Sequence, residues 1–390
     1  MLSRRIQTLS SSLTIKISTL ANKLKSEGKD ILSFSAGEPD FDTPELIKNE
    51  AKKALDDGFT KYTAVPGIDS LLKAVSDKLK RENNLEYKPS QIITSNGAKH
   101  SLFNLCQALI DDGDEVIIPA PYWVTYPELV TYSGGTNVFV ETDDKSGFKI
   151  TPQQLKNAIT PKTKMLILTT PSNPTGSVYS KSELQDLADV LKGTDIWVCS
   201  DEMYEKLLYD GKTFTSAAAI SEDMYKRTIT VNGLSKSVAM TGWRFGYLAS
   251  PNDELISVMK KLQSQSASNI NSITQKASIL GLDESVDDVV ESMRTEFEKR
   301  RNVACELINA HPKLSVVIPD GAFYLFINIK AVTNDSMKFC EELLELKGVA
   351  VIPGIGFGSD GYVRFSFATD MDSIKEGIKR IIEFIEQKGI

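Results

Sequence analysis

Five polar clusters in this sequence each follow an apolar run, and together they hold the parts of a reaction centre. They are Asn96 to Lys99, Pro121 to Trp123, Pro171 to Pro174, Asp201 to Tyr204, and Ser235 with Lys236. Lys236 offers an amine that becomes a nucleophile and proton carrier once its pKa is lowered. Asp201 offers a carboxylate for a cation, Asn173 an amide donor, and either Tyr122 or Trp123 a flat ring for stacking. Gly97 and Ala98 open a helical pattern whose free N–H groups suit an anion. A flat, cationic, phosphorylated heteroaromatic compound would use all five clusters together. The two histidines, His100 and His311, are too few and too isolated for a zinc cluster or a histidine-based relay, so other groups must move the protons.

The elements that carry these clusters follow from periodicity. Strand runs are predicted at Gln91–Ser95, Glu115–Pro119, Asn137–Glu141, Met165–Thr169, Ile196–Ser200, Thr228–Val231 and Phe245–Ala249. Helical patterns lie between many of them, such as Ala98–Ile110, and Ser180 with Glu183 forms a capping box for a helix ending near Gly193. This alternation predicts an α/β unit with a seven-stranded, mostly parallel sheet flanked by helices. Ligands in such sheets bind outside the carboxyl ends of the strands, where the five clusters sit. A long charged helix over Ser285–Ala310 then leads into strands Ser315–Ile318 and Ala322–Ile329, a helix Ser336–Leu346, strands Val349–Ile352 and Tyr362–Phe367, and a helix Met371–Lys388. That order predicts a smaller α+β domain at 285–390, a large domain at 46–284, and an N-terminal arm with part of the small domain at 1–45.

Composition excludes several other functions. Lys+Arg total 45 against 52 for Asp+Glu, a net charge of −7 that gives no electrostatic footprint for nucleic acid. No apolar run approaches the ~18 residues of a membrane span. Cys106, Cys199, Cys305 and Cys340 are scattered without C-x-x-C spacing, as in a reduced cytoplasmic protein. The run Gly356 to Gly361 matches G-x-G-x-x-G by letter, but a strand follows it instead of a helix, so it is a tight turn. Gly211, Lys212 and Thr213 lack the upstream glycine of a Walker loop. Residues 1–26 are basic and rich in Ser and Thr, like a transit peptide. The favoured reading is an arm leading into a helix with Leu20, Ala21 and Leu24 on one face and Gly28 at its end.

The run GLSKSVAMTGWRFG from Gly233 to Gly246 resembles the pyridoxal-phosphate lysine signature of class I aminotransferases, with Arg244 eight positions after Lys236. The resemblance spans essentially the whole chain, through AGEPDF (Ala36–Phe41), SNPTG (Ser172–Gly176) and YVRFS (Tyr362–Ser366). Phe245 is a minor departure, since the family commonly has a smaller aliphatic residue there. The resemblance implies fold type I and pyridoxal 5′-phosphate as cofactor. Lys236 would be the Schiff-base lysine and proton shuttle, Asp201 the partner of the pyridine nitrogen, and Tyr204 and Asn173 donors to the ring oxygen. Trp123 would stack on the ring, while Gly97, Ala98, Lys99, Ser235 and Arg244 would surround the cofactor. Tyr62 would reach the phosphate of a second subunit, implying a homodimer with shared active sites.

The resemblance also bears on the substrate. Arg364 would clamp the α-carboxylate, with Gly37, Trp123 and Asn173 alongside. Lys99, where many relatives have Ser or Thr, is similar to a bacterial subgroup in which this lysine and Ser and Thr on the arm hold a distal carboxylate; Ser12 and Thr14 stand in the matching places. A cation at a helix start opposes the helix dipole and calls for an anion nearby. Transfer of an amino group between L-aspartate and 2-oxoglutarate is therefore expected, and a working Ser12 and Thr14 would exclude a cleaved presequence. Relatives that also use prephenate have basic residues where this chain has Ser10 and Asp42. Aromatic amino acids, alanine or methionine are the other donors to weigh, and a lyase on the same scaffold is a rival. A pyridoxal-phosphate-sensing regulator would need a basic helix-turn-helix segment that the chain does not spare.

Overall fold

Strand runs that are apolar at successive positions put carbon on both faces and must be covered from both sides. The computed structural model describes residues 2–10 and 13–388, with the backbone alone at 4 and 13–15. Its main sheet has seven strands in the order Ile92–Asn96, Phe245–Ala249, Thr228–Gly233, Trp197–Asp201, Thr163–Thr169, Glu115–Ala120 and Thr136–Glu141. Only Phe245–Ala249 runs antiparallel to its neighbours; the other pairings are parallel. All seven predicted strands are present, with ends that move by up to two residues.

Alternation sorts the side chains between two layers. Val116, Ile118, Met165 and Ile167 join the core with Leu102, Leu105 and Cys106 of the helix Ala98–Leu109. Ile117, Leu166, Leu168 and Val198 face the other way, against Leu184, Leu187 and Leu191 of the helix Lys181–Leu191. Burying each of these aliphatic side chains is worth roughly 1.5–3 kcal/mol. The Ser180 capping box holds: its hydroxyl accepts from Glu183 N at 3.3 Å, and its own N–H donates to Glu183 at 2.7 Å.

A second, antiparallel sheet orders Ile352–Pro353, Tyr362–Ser366, Tyr324–Asn328 and Ser315–Val316. The expected single strand Val349–Ile352 is instead divided. Val349–Ala350 pairs in parallel with Leu32–Ser33, while Ile352–Pro353 pairs with the strand that carries Arg364. The chain changes sheets at Val351, where both halves stay buried, so hydrophobicity alone does not mark the break. The long helix spans Asp287–Asn309 and is tied down by two buried arginines: Arg300 meets Asp40 at 2.8 Å, and Arg301 forks Asp210 at 2.7 and 2.9 Å.

The N-terminal helix runs Leu13–Ser26 with its buried stripe on Ile17 and Ala21, backed by Leu24. Leu20 is 37% exposed, contrary to expectation, because the i, i+4, i+7 row centred on Ile17 is the one that meets the core. No helix among the described residues is long and apolar enough to cross a membrane.

Candidate active site

Several strands of the main sheet end by delivering side chains to one cavity of about 650 Å³. Thr169 and Asp201 close their strands, and Lys236 lies just beyond Gly233 at the end of the next. Arg364 enters from the second sheet, so both sheets contribute walls.

One end is built for an anion. Gly97 precedes the helix Ala98–Leu109 with φ +79°, a left-handed conformation that glycine adopts freely. A β-carbon there would lie 2.3 Å from Nη2 of Arg244, and one on Gly246 would lie 2.3 Å from Ala98 N. Both positions must therefore be bare for the arginine and the helix start to converge. Arg244 donates Nη1 to the Thr241 carbonyl at 2.7 Å and Nη2 to that of Asn96 at 3.3 Å. Ser235 adds a hydroxyl at the cavity wall. A fork, a hydroxyl and first-turn N–H groups are a donor set that fits a phosphate.

Asp201 is 6% exposed. Its Oδ2 accepts from the Tyr126 hydroxyl at 2.7 Å and its Oδ1 from Met203 N at 3.3 Å. Burial pushes its pKa up, while Tyr126, the Met203 N–H and the charge of Lys236 oppose that rise. A buried carboxylate with so few donors fits a cationic ring nitrogen as partner.

Lys236 donates to the Gly37 carbonyl and stands 6.0 Å from the Tyr204 ring centre. Burial lowers its amine to about 8; Glu38 opposes this, Arg364 and Arg244 reinforce it, and Asp201 opposes it. Gly37 thus lies at the amine end of the cavity, on the wall beside Lys236.

Arg364 is 3% exposed, with Nη1 donating to Asn173 Oδ1 at 3.0 Å and Nη2 to the Ser35 carbonyl at 2.8 Å. Its guanidinium lies 4.5 Å from the Tyr324 ring centre, and its buried Nε has no partner among the described residues. With Oδ1 of Asn173 occupied, Nδ2 is the donor that amide can give a ligand. The Tyr204 hydroxyl bonds that of Tyr324 at 2.9 Å, and burial holds its pKa well above the usual phenol value.

Of the two candidate rings, Trp123 lines the cavity, whereas Tyr122 stacks on Phe139 at 4.9 Å. Lys99 reaches the same wall, its Nζ 4.9 Å from the Trp123 ring; burial and the nearby Arg244 lower its pKa. Tyr62 is 91% exposed and does not line its own chain's cavity. Ser12 lies outside the described residues, as does the side chain of Thr14.

Sequence reasoning missed Tyr126, Tyr324 and Glu38. Tyr126 stands three residues after Trp123, whose carbonyl accepts the Tyr126 N–H at 3.0 Å just ahead of the helix Thr125–Tyr132, and that short spacing is its only signal in the sequence. Tyr324 sits inside an apolar strand run and has none.

The fold is that of solved aminotransferases of the α/β type. The aspartate aminotransferase of Thermus thermophilus, solved with maleate, superimposes with a TM-score of 0.94 at 41% identity, covering 98% of this chain and 99% of that one. The chain belongs to the class I and II aminotransferases, whose family profile matches residues 29–381. It is 45% identical to the aspartate aminotransferase of Bacillus subtilis over 99% of both chains. It is also 44% identical to the aspartate/prephenate aminotransferase of Nitrosomonas europaea, over 98% of this chain and 99% of that one.

Proposed function

We propose that this enzyme is an aspartate aminotransferase that passes the amino group of L-aspartate to 2-oxoglutarate, using pyridoxal 5′-phosphate. The observation that carries the reading is the set of cations on one cavity, Lys99, Lys236, Arg244 and Arg364, which offers a dicarboxylate a partner at each end beside a phosphate cradle. Relatives of 44–45% identity named for aspartate support the same donor.

Gly97, Ala98, Ser235 and Arg244 would hold the cofactor phosphate, Asp201 its ring nitrogen, Asn173 and Tyr204 its ring oxygen, and Trp123 its face. Bound there, the cofactor supplies an electron-withdrawing ring that delocalises the charge left when the substrate Cα loses a proton. Arg364 binds the α-carboxylate through its fork, and Asn173, held by Arg364, fixes the same end. Lys99 meets the distal carboxylate. The Lys236 amine, neutral above about pH 8, takes the Cα proton onto Nζ and returns it on the same side of the cavity. Because Arg364 and Asn173 fix the carboxylate end, the Cα–H bond rather than the Cα–carboxylate bond is presented for cleavage, which favours transamination over decarboxylation.

Tyr62, exposed and away from its own cavity, supports a homodimer in which it reaches the phosphate site of a second copy. The pairing of Leu32–Ser33 with Val349–Ala350 supports the division into a small domain of 1–45 with 285–390 and a large domain of 46–284. Four free cysteines, all buried, agree with a cytoplasmic setting. Prephenate finds less support as an amino acceptor, since Ser10 at the cavity wall brings no positive side chain.

The test is a single-turnover absorbance titration of the loaded enzyme with L-aspartate, L-alanine, L-phenylalanine and L-methionine. Conversion by aspartate at the lowest concentration supports the reading. Preference for a neutral amino acid removes Lys99 from its role, and failure to bind pyridoxal phosphate removes the cofactor.

A further inference from the structure

Tyr126 is 2% exposed, and its hydroxyl stands 2.7 Å from both Asp201 Oδ2 and Thr169 Oγ1. An ionised carboxylate can only accept, so the single phenol proton goes to Asp201, and the Thr169 hydroxyl donates to the phenol oxygen. The result is a one-way chain from Thr169 through Tyr126 to Asp201, in which each bond polarises the next. Both contacts, at 2.7 Å, have the length of a well-formed O–H···O hydrogen bond.

Little else supports a charge at this point. Among the described residues, the other donor to Asp201 is the Met203 N–H, at 3.3 Å. The groups that face the carboxylate electrostatically are Tyr126 from the helix Thr125–Tyr132, Lys236 from beyond Thr228–Gly233, Tyr204 from the following turn, and Cys199 on its own strand. Tyr204 and Cys199 are neutral near pH 7, and the Lys236 amine is itself at the edge of neutrality. Tyr126 is held protonated by burial, so it remains a donor over the whole working range.

We propose that Tyr126 is a positioning residue that keeps Asp201 ionised, and that the Thr169–Tyr126–Asp201 chain thereby sets how firmly the enzyme retains a cofactor with a cationic ring nitrogen. This rests on the pyridoxal-phosphate reading above. Removing the phenol oxygen raises the pKa of Asp201, and below that pKa the neutral acid no longer attracts the ring cation. Cofactor retention should therefore fall most at low pH and recover as pH rises.

The experiment measures the pyridoxal phosphate dissociation constant by ultrafiltration and absorbance from pH 5.5 to 8.5 for the wild type, Tyr126→Phe and Thr169→Val. At pH 6, Tyr126→Phe should bind about tenfold or more weakly than wild type, the scale of one hydrogen bond to a charged group. The deficit should shrink toward pH 8.5, and Thr169→Val should show a smaller deficit with the same slope. Equal constants at every pH, or a deficit that does not change with pH, would overturn the proposal. If circular dichroism shows Tyr126→Phe unfolded, Thr169→Val decides alone by the same slope. A wild type that binds no pyridoxal phosphate overturns the cofactor reading instead.

Discussion

Arg244 closes over Gly97 so tightly that a β-carbon at Gly97 would lie 2.3 Å from Nη2 and 2.9 Å from Cζ of the arginine. Two distant stretches of chain thus make one anion cradle, and a missing side chain is what lets them meet. Gly97→Ala should displace the guanidinium and add positive-φ strain of roughly 1–3 kcal/mol. We expect pyridoxal phosphate to be lost on dialysis, with a melting temperature only a few degrees lower. A variant that retains cofactor as the wild type does would show that Arg244 does not hold the phosphate.

The Lys236 amine is lowered to about 8, chiefly by burial. The free amine is the reactive form, so in cofactor-free protein its acylation should rise as pH climbs through about 8. An ordinary lysine rises near 10.4. Mass spectrometry of Lys236 over pH 6.5–10.5 would locate the midpoint. A midpoint near 10 would mean that the site does not desolvate the amine.

Arg364→Lys keeps the charge but removes the fork that Asn173 and the Ser35 carbonyl orient. KM for L-aspartate should rise about tenfold to hundredfold, the scale of one to two charge-assisted bonds. Steady-state kinetics with aspartate would reveal this, and an unchanged KM would exclude Arg364 as the carboxylate clamp.

Behind the sheet, Lys78 pairs with Glu205, which also accepts from Asn83 at 2.6 Å and Asn232 at 2.7 Å. Asn232 in turn accepts from the Gly233 N–H at 2.7 Å, so this cluster braces the strand end that leads to Lys236. Lys78→Met leaves a buried carboxylate without its cation and should cost about 3–5 kcal/mol in urea unfolding. Lys78→Met with Glu205→Gln should recover much of that loss. A single variant as stable as wild type would show that the Lys78–Glu205 pair contributes nothing net to stability.

The strand exits were legible because their signals are local. An apolar run followed by Gly97, Asn173, Asp201 or Lys236 marks both where a strand stops and what it presents there. Strand ends were less legible, since hydrogen bonding to a neighbour and not composition decides the last residue. Trp197–Asp201, expected to end at Ser200, gains Asp201 because that residue pairs with Val231 and Thr169.

What the sequence determined by itself was the alternation of strands and helices, the order of the reactive residues and their placement at strand ends, because backbone periodicity and turn chemistry act over a few residues. Only the tertiary structure decided that Tyr126 rather than solvent completes Asp201, that Arg364 lies against Tyr324, and that the chain changes sheets at Val351. Each of these depends on a helix or strand closing over a sheet from far along the chain, and core aromatics read the same in a sequence whether their polar atoms meet a carboxylate or nothing.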